Sequence, residues 1–476
     1  MQKNKGYRSV GFLILAIAIA VMANAAPSQA RQLVVLTSYP RSFYEPVIKA
    51  FEAENPEITV SVVNRNTMNM IRTIERARSP HPDIVWAMSP VAFEVLRRSG
   101  ALATVPEIAQ AETPKNGLPF DSPDATRLGF ARFALGVAFL DGESTKHRTE
   151  KWEPVFGPIQ CDSETKECQD GSDYRSAALV ETIGPAPSLK RLAEPRYRGE
   201  IAMSSPARSG TTHLFVECIL QRYGWRDGWA LLSRIGSNLA TVTARSFGVR
   251  DGVANKRFSY GITTDDLAVP PQQGVRPLAF ARLSQCIDFP ASLAITAQSK
   301  ERESALAFVS FLRSPAVQGL IDAGEAKDKR SIDAARANED RGSISFDVAL
   351  AANRLHTVTV LFTQMIEKRR DTLEALWQRI DKIESVDDPE RRASLKHRLD
   401  RVRKLLTSIP VTDYMAQAPE LGRALDVSPD QLPFAEGISR IEQSWSDDFD
   451  QRYERASNLL NEIETPNALA TDTRSQ

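Results

Sequence analysis

Of 476 residues only four are cysteine and five are histidine. The histidines (His81, His147, His213, His356, His397) are scattered, and no H-E-x-x-H sets two of them on one helix face. G-x-S-x-G, C-x-x-C and G-x-G-x-x-G are all missing. Without them there is no nucleophile elbow, redox dithiol or dinucleotide loop. Ser209 and His213 form the one conceivable nucleophile pair, but nothing supplies its orienting third member. The chain is therefore expected not to be an enzyme, and no cofactor is implied. Excess charge of one sign is also missing, with 60 basic residues against 60 acidic. That balance gives no basis for a nucleic-acid partner. Beyond the leader no run reaches eighteen apolar residues, so a multi-span membrane protein is excluded.

What is present is ordinary globular composition, 42% hydrophobic and 25% charged. At ~150 residues per domain the length suggests about three units. Residues 1–30 read as a cleaved secretory signal peptide. Lys3, Lys5 and Arg8 precede an apolar run, Val10 to Val21, and the small-residue sites Ala23-Asn24-Ala25 and Ser28-Gln29-Ala30. A periplasmic location is the expectation. In an oxidising compartment Cys161 and Cys168, bracketing a polar loop, are expected to close a disulfide. Cys218 sits in a helical apolar run and reads as buried packing. Whether it pairs with Cys286 is left open by the sequence.

From residue 31 strands alternate with helices. Strands are predicted at Gln32–Leu36, Thr59–Val63 and Asp83–Met88, and helices at Tyr44–Glu54, Met68–Ala77 and Val91–Arg98. This alternation predicts α/β lobes with mainly parallel neighbours. Leu128–Leu140 reads as a strand crossing into a second lobe, and the polar segment 141–187 as an insertion. The second unit resumes with a strand at Gly199–Met203, a helix at Thr212–Tyr223 and a strand at Tyr260–Thr264. The chain is then expected to return to the first lobe through Pro270-Pro271 and Arg276–Phe280, followed by a helix at Glu303–Leu312. The predicted organisation is lobe 1 over 31–135, lobe 2 over 136–268 and a return to lobe 1 over 269–345. From 346 to 476 the apolar residues recur at three- and four-residue steps, which predicts a C-terminal helical region. A helical cap on the core and a docking surface for a partner protein both fit it.

The strongest local signal is the run Ser204 to His213, SSPARSGTTH, between a strand and a helix. A helix N-terminus leaves amide N–H groups unpaired and carries partial positive charge. With Ser and Thr hydroxyls, and a glycine that permits close approach, it can hold a phosphate or carboxylate. Arg208 could add a bidentate contact. Simple helix capping fits the same residues. Similar loops occur at Thr37-Ser38-Tyr39, Ser89-Pro90, Thr243 to Ser246 and Thr263 to Asp266. In open α/β sheets such loops, beyond the carboxyl ends of strands, meet at one cleft. There Arg245 would offer charge to an anion and Asp265 would accept hydrogen bonds from hydroxyls.

Three stretches, VVLTSYPRSFYEPVIKAFEAENP, LKRLAEPRYRGEIAMSSPARSGTTH and RSFGVRDGVANKRFSYGITTDD, are together similar to periplasmic substrate-binding proteins of ATP-binding-cassette importers. The resemblance is to the ferric-iron-type cluster that also contains hexose-phosphate and phosphoglycerate receptors, over roughly residues 31–325. It implies the two-lobe, type II periplasmic-binding-protein fold that closes on its ligand, here with a C-terminal helical extension. It points to Ser38, Ser89, Ser209, Gly210, Thr211, Thr212, His213, Arg245, Ser246 and Asp265 as ligand-binding residues. Iron-binding members use neighbouring tyrosines as ligands, and no adjacent tyrosine pair occurs here. The phosphorylated-solute branch therefore fits better than an Fe(III)-type carrier. The implied partners are a small phosphorylated anion, an inner-membrane ABC permease and a membrane sensor kinase.

Overall fold

The computed structural model describes residues 31–76, 81–110, 118–140, 189–268, 278–283, 286–315, 317–318, 345–386, 388–426 and 440–465. The leader, the insertion at 141–187 and the expected Cys161–Cys168 disulfide lie outside these residues.

The first lobe opens with β1 (Arg31–Thr37), α1 (Arg41–Glu54), β2 (Ile58–Asn64), α2 (Thr67–Glu75), β3 (Ile84–Ala87) and α3 (Pro90–Arg98). Each element lies within a few residues of its expected span, because apolar runs of four to seven residues end on cap residues. Asn66 caps α2 by accepting from the Asn69 N–H, and Ser89 caps α3 by accepting from the Ala92 N–H.

The extended stretch beginning at Leu128 is two strands, not one. β4 (Leu128–Phe133) belongs to the first sheet and β5 (Leu135–Phe139) to the second, with Ala134 alone between them. The second lobe continues with β6 (Ile201–Ser204), α4 (Gly210–Tyr223), α5 (Trp225–Gly236), β7 (Leu239–Thr243), α6 (Ser246–Ala254) and β8 (Tyr260–Thr264). β9 (Ala279–Arg282) pairs antiparallel with β5, Val137 opposite Ala281. This corrects the expected return to lobe 1 at residue 269. The incoming strand β5 leaves an edge that β9 fills, so the chain returns only with β10 (Phe289–Ile295) and α7 (Arg302–Leu312).

The strand orders are β2-β1-β3-β10-β4 and β7-β6-β8-β5-β9. In each sheet three strands of the lobe's own α/β unit run parallel. The fourth, β10 or β5, arrives from the other lobe and pairs antiparallel on both sides. Two such sheets joined by exchanged crossing strands are the expected two-lobe, type II periplasmic-binding-protein fold. The mainly parallel pairing expected holds for half of each sheet, because a crossing strand enters from the opposite end.

Trp86 is fully buried in lobe 1 among Tyr39, Phe43, Phe130 and Phe308, with ring centroids 5.3 to 6.0 Å away. Truncating such an aromatic to Ala costs ~3–5 kcal/mol. Cys218 on α4 is buried, as its apolar run predicts, and is also disulfide-bonded to Cys286 in the crossing segment before β10.

The region after 345 is helical. It comprises α8 (Val348–Asn353), α9 (Leu355–Phe362), a π-helical turn (Thr363–Glu367), α10 (Arg370–Glu384), α11 (Pro389–Thr407), α12 (Asp413–Ala416), α13 (Pro419–Leu425) and α14 (Arg440–Glu464). Leu395, Leu399, Val402 and Leu406 form the buried stripe of α11, and α11 packs along α14.

Candidate ligand-binding cleft

Each lobe turns strand ends into helix starts at the same place. α1 follows Pro40, α2 begins at Thr67, α3 follows Ser89, α4 begins at Gly210 and α6 at Ser246. Residues from all five starts line one cavity of about 40 Å³ between the lobes. Each brings the positive end of a helix dipole and first-turn amides that lack an acceptor within their own helix. Ser38, Tyr39, Met88, Arg208, Phe247 and Leu267 complete the main lining, and among the described residues no carboxylate lines it.

At the start of α4 three hydroxyls meet. Ser209 Oγ lies 2.5 Å from Ser246 Oγ and 2.9 Å from Thr211 Oγ1, and Thr211 Oγ1 lies 3.1 Å from Ser246 Oγ. Ser209 Oγ also accepts from the Thr212 N–H at 3.2 Å, so the residue both caps the helix and faces the cavity. The loop before it rests on the C-terminal helices, since Ser205 Oγ donates to Glu367 Oε2 at 2.7 Å.

Arg245 spans the gap. Its Nη2 donates to the Ser38 carbonyl at 3.0 Å and to Asn64 Oδ1 at 3.1 Å, both in lobe 1. Its guanidinium lies over the Phe247 ring. Burial pushes its pKa down. Both acceptors are neutral, and among the described residues no carboxylate forms an ion pair with it. Arg208 is a second cation, exposed at the rim. The lobes also touch directly, the Gly210 N–H donating to Thr67 Oγ1 at 3.0 Å. A cavity of this size has room for about one water. A larger guest requires the lobes to part and close again around it.

Of the residues singled out from sequence, Ser38, Ser89, Ser209, Gly210, Thr211, Arg245 and Ser246 share this cavity. Thr212, His213 and Asp265 do not line it. Thr212 contributes its backbone N–H to the cap. His213 points into the core, 4.0 Å from Glu217, with both ring nitrogens lacking hydrogen-bond partners among the described residues. Burial pushes its pKa down to about 4. Asp265 Oδ1 accepts from the Ala134 N–H at 2.9 Å and so braces the residue between the crossing strands.

The neighbouring Asp266 is the acid near the cleft. Its carboxyl is pushed up to about 6 by burial, and its charge helps burial hold the Tyr39 hydroxyl above its usual range. Sequence reading missed Thr67, although Asn66-Thr67 after β2 repeats the strand–cap–helix pattern used at Ser89. It also missed Asn64, whose role depends on the opposing lobe. Among the described residues no group of three or more His, Cys, Asp or Glu could hold a metal ion.

Two lobes joined by exchanged strands, with a polar cleft at the carboxyl ends of their strands, place this cavity where open α/β sheets bind ligands. Residues 174–323 match the family model described as bacterial extracellular solute-binding protein. The phosphoglycerate transport regulatory protein PgtC of Salmonella typhimurium is 26% identical over 400 residues, 82% of this chain and 88% of that protein. Among solved structures, the ferric binding protein from Campylobacter jejuni is 14% identical and covers 69% of this chain and 98% of its own, with TM-score 0.49. The periplasmic binding protein AfuA from Actinobacillus pleuropneumoniae, solved with fructose-6-phosphate bound, is 17% identical and covers 75% of this chain and 99% of its own, with TM-score 0.47.

Proposed function

We propose that the protein is a non-enzymatic periplasmic receptor for a small phosphorylated organic anion of the phosphoglycerate kind. The observation that carries this reading is electrostatic. Five helix N-termini and two arginines face one cavity whose lining, among the described residues, holds no carboxylate. Such a site has donors and positive charge in excess, and a phosphate supplies the matching acceptors. The 26% identity to a phosphoglycerate transport regulatory protein supports the same ligand class. A ferric ion fits less well, because Tyr39 is the one tyrosine in the lining and burial opposes its phenolate form.

Binding would exchange the direct bridges between lobes, Gly210 to Thr67 and Arg245 to Ser38 and Asn64, for bonds to the ligand's oxygens. Closure then removes water and strengthens those charged hydrogen bonds. The closed form would be delivered to a membrane permease or read by a membrane sensor kinase.

The test is a thermal-shift and calorimetric screen of phosphorylated three- and six-carbon metabolites beside their unphosphorylated parents and ferric citrate. A ligand at a hundred times its Kd stabilises the fold by about 2.7 kcal/mol. Stabilisation by phosphorylated compounds alone is expected. A response to ferric citrate alone, or to the neutral parents as strongly as to their phosphates, would overturn the reading.

A further inference from the structure

The helices after residue 345 touch both lobes, but unequally. Their bonds to lobe 2 are numerous and largely buried. Arg354 pairs through Nη2 with Glu217 of α4 at 2.7 Å, and both side chains are buried. Gln221 and Asp347 exchange two hydrogen bonds, at 2.7 and 3.0 Å. On α5, Ser233 Oγ donates to the Leu406 carbonyl at 2.8 Å and accepts from Trp377 Nε1 at 3.2 Å. Trp225 Nε1 donates to the Val411 carbonyl at 2.9 Å, and Asp381 accepts from Arg234 and Arg198. Breaking the buried Arg354–Glu217 pair within this set leaves charges without solvent or partner, which is costly.

The bonds to lobe 1 are few and lie nearer solvent. Arg98, at the end of α3, donates to Asn353 Oδ1 and, at 3.2 Å, to the Ala349 carbonyl of α8. Arg72 of α2 pairs with Asp426, just past α13, at 2.8 Å. The Arg98 contacts are exposed and the Arg72–Asp426 pair is partly buried; an exposed contact of this type contributes ~0.2–1 kcal/mol. α2 and α3 are the helices whose first turns, at Thr67 and Ser89, form the lobe 1 wall of the cleft.

Rotation about the crossing strands moves α2 and α3 relative to α4 and α5. The C-terminal helices are fixed to the latter pair, so the Arg72 and Arg98 contacts have to part, together with the packing of α8 along α3 and of Phe346 on Phe289 of β10. We propose that the C-terminal helical region is a strap carried by lobe 2 that latches onto lobe 1 through Arg72 and Arg98 when the cleft is shut. The strap holds the ligand-free protein closed, and its release exposes Arg72, Arg98 and Asp426 only while the cleft is open. A partner reading those surfaces would sense the state of the cleft without touching the ligand.

The test needs no ligand, so it stands or fails separately from the proposed solute. The full chain carrying R72A and R98A together is compared with the parent by small-angle X-ray scattering and by hydrogen exchange of the Gly210 amide, which bonds across the cleft. A larger radius of gyration and about tenfold faster exchange are expected. R72D alone should also open the protein, and the charge-swapped pair R72D/D426R should return both readings toward the parent. D426N, a smaller change at the same contact, serves if the double alanine variant does not fold. Unchanged scattering and exchange in a folded latch variant, or no recovery in the swapped pair, would overturn the proposal.

Discussion

Gly210 of lobe 2 sits so close to Ser89 of lobe 1 that a Cβ added to it would lie 2.5 Å from the Ser89 Cβ and 3.1 Å from Thr67 Oγ1. Its backbone φ is not in the left-handed region, so glycine is required by proximity across the cleft and not by conformation. Gly210→Ala should therefore leave the fold intact while blocking full closure. Alanine favours the helix, by up to ~1 kcal/mol in an interior position, so the melting temperature should not fall. Affinity for a phosphorylated ligand should drop at least about tenfold, the effect of losing ~1.4 kcal/mol of closed-state contacts. Calorimetry beside thermal unfolding separates the two effects.

Arg245 offers the cleft its half-buried positive charge, and among the described residues no carboxylate answers it. Arg245→Ala should weaken binding of a phosphorylated ligand by about 1.5–3 kcal/mol, the range for a hydrogen bond to a charged group. Binding to a neutral parent compound, if any is measurable, should change much less. Equal calorimetric affinities for the phosphate in the variant and the parent protein would remove Arg245 from the site.

Glu367 reaches the anion-facing loop from the C-terminal helices through Ser205 Oγ. Ser205 in turn accepts the Arg208 and Ser209 N–H groups on its carbonyl, at 3.0 and 2.9 Å. Glu367→Ala should loosen this turn and lower ligand affinity by about three- to tenfold, while Glu367→Gln, which keeps an acceptor oxygen, should recover most of it. The comparison is read by titration calorimetry.

Two buried groups act on stability in opposite directions with pH. His213 has its folded pKa pushed down from 6.5 to about 4, so the unfolded chain binds the extra proton and stability falls as pH drops through that interval. Asp266 has its folded pKa pushed up to about 6, so the folded chain binds the extra proton and stability rises as pH drops from 6 toward 4. Between pH 6 and 4 the two largely offset. His213→Leu should make the protein more resistant to acid than its parent, because among the described residues neither ring nitrogen has a hydrogen-bond partner to lose. Asp266→Asn should make it less resistant. Urea unfolding at pH 4.5 and 7 checks both signs.

The Cys218–Cys286 disulfide closes a 68-residue separation and ties α4 to the crossing segment before β10. Replacing both cysteines with alanine should lower unfolding free energy by ~2–4 kcal/mol. It should also loosen the crossing segment, visible as faster amide exchange over residues 286–289.

The α/β alternation, the helix starts at Ser89 and Ser209, the crossing near residue 134 and the helical C-terminus follow from local chemistry. A strand that ends in Ser or Asn before an apolar helix face caps that helix wherever the pattern occurs, so period and cap residues sufficed to locate most of the cleft lining. The stretch around 279–282, expected in lobe 1 and found as a strand of lobe 2, marks the limit. Its apolar residues suit either sheet, and only the free edge of β5 decides between them. His213 and Asp265 likewise carry the right chemistry at plausible positions, but one turn of helix and one residue of register aim them away from the cavity.

The amino-acid order by itself determined the kind of elements, their sequence and the residue types gathered at their ends, because hydrophobic period and capping act within a few residues. Tertiary structure alone decided that Arg245 reaches Ser38 and Asn64, that Gly210 abuts Ser89 and that Cys218 bonds Cys286. It also decided that the C-terminal helices bridge the two lobes. Each of these joins residues far apart in the chain, and such contacts exist only once both lobes and the strands exchanged between them are in place.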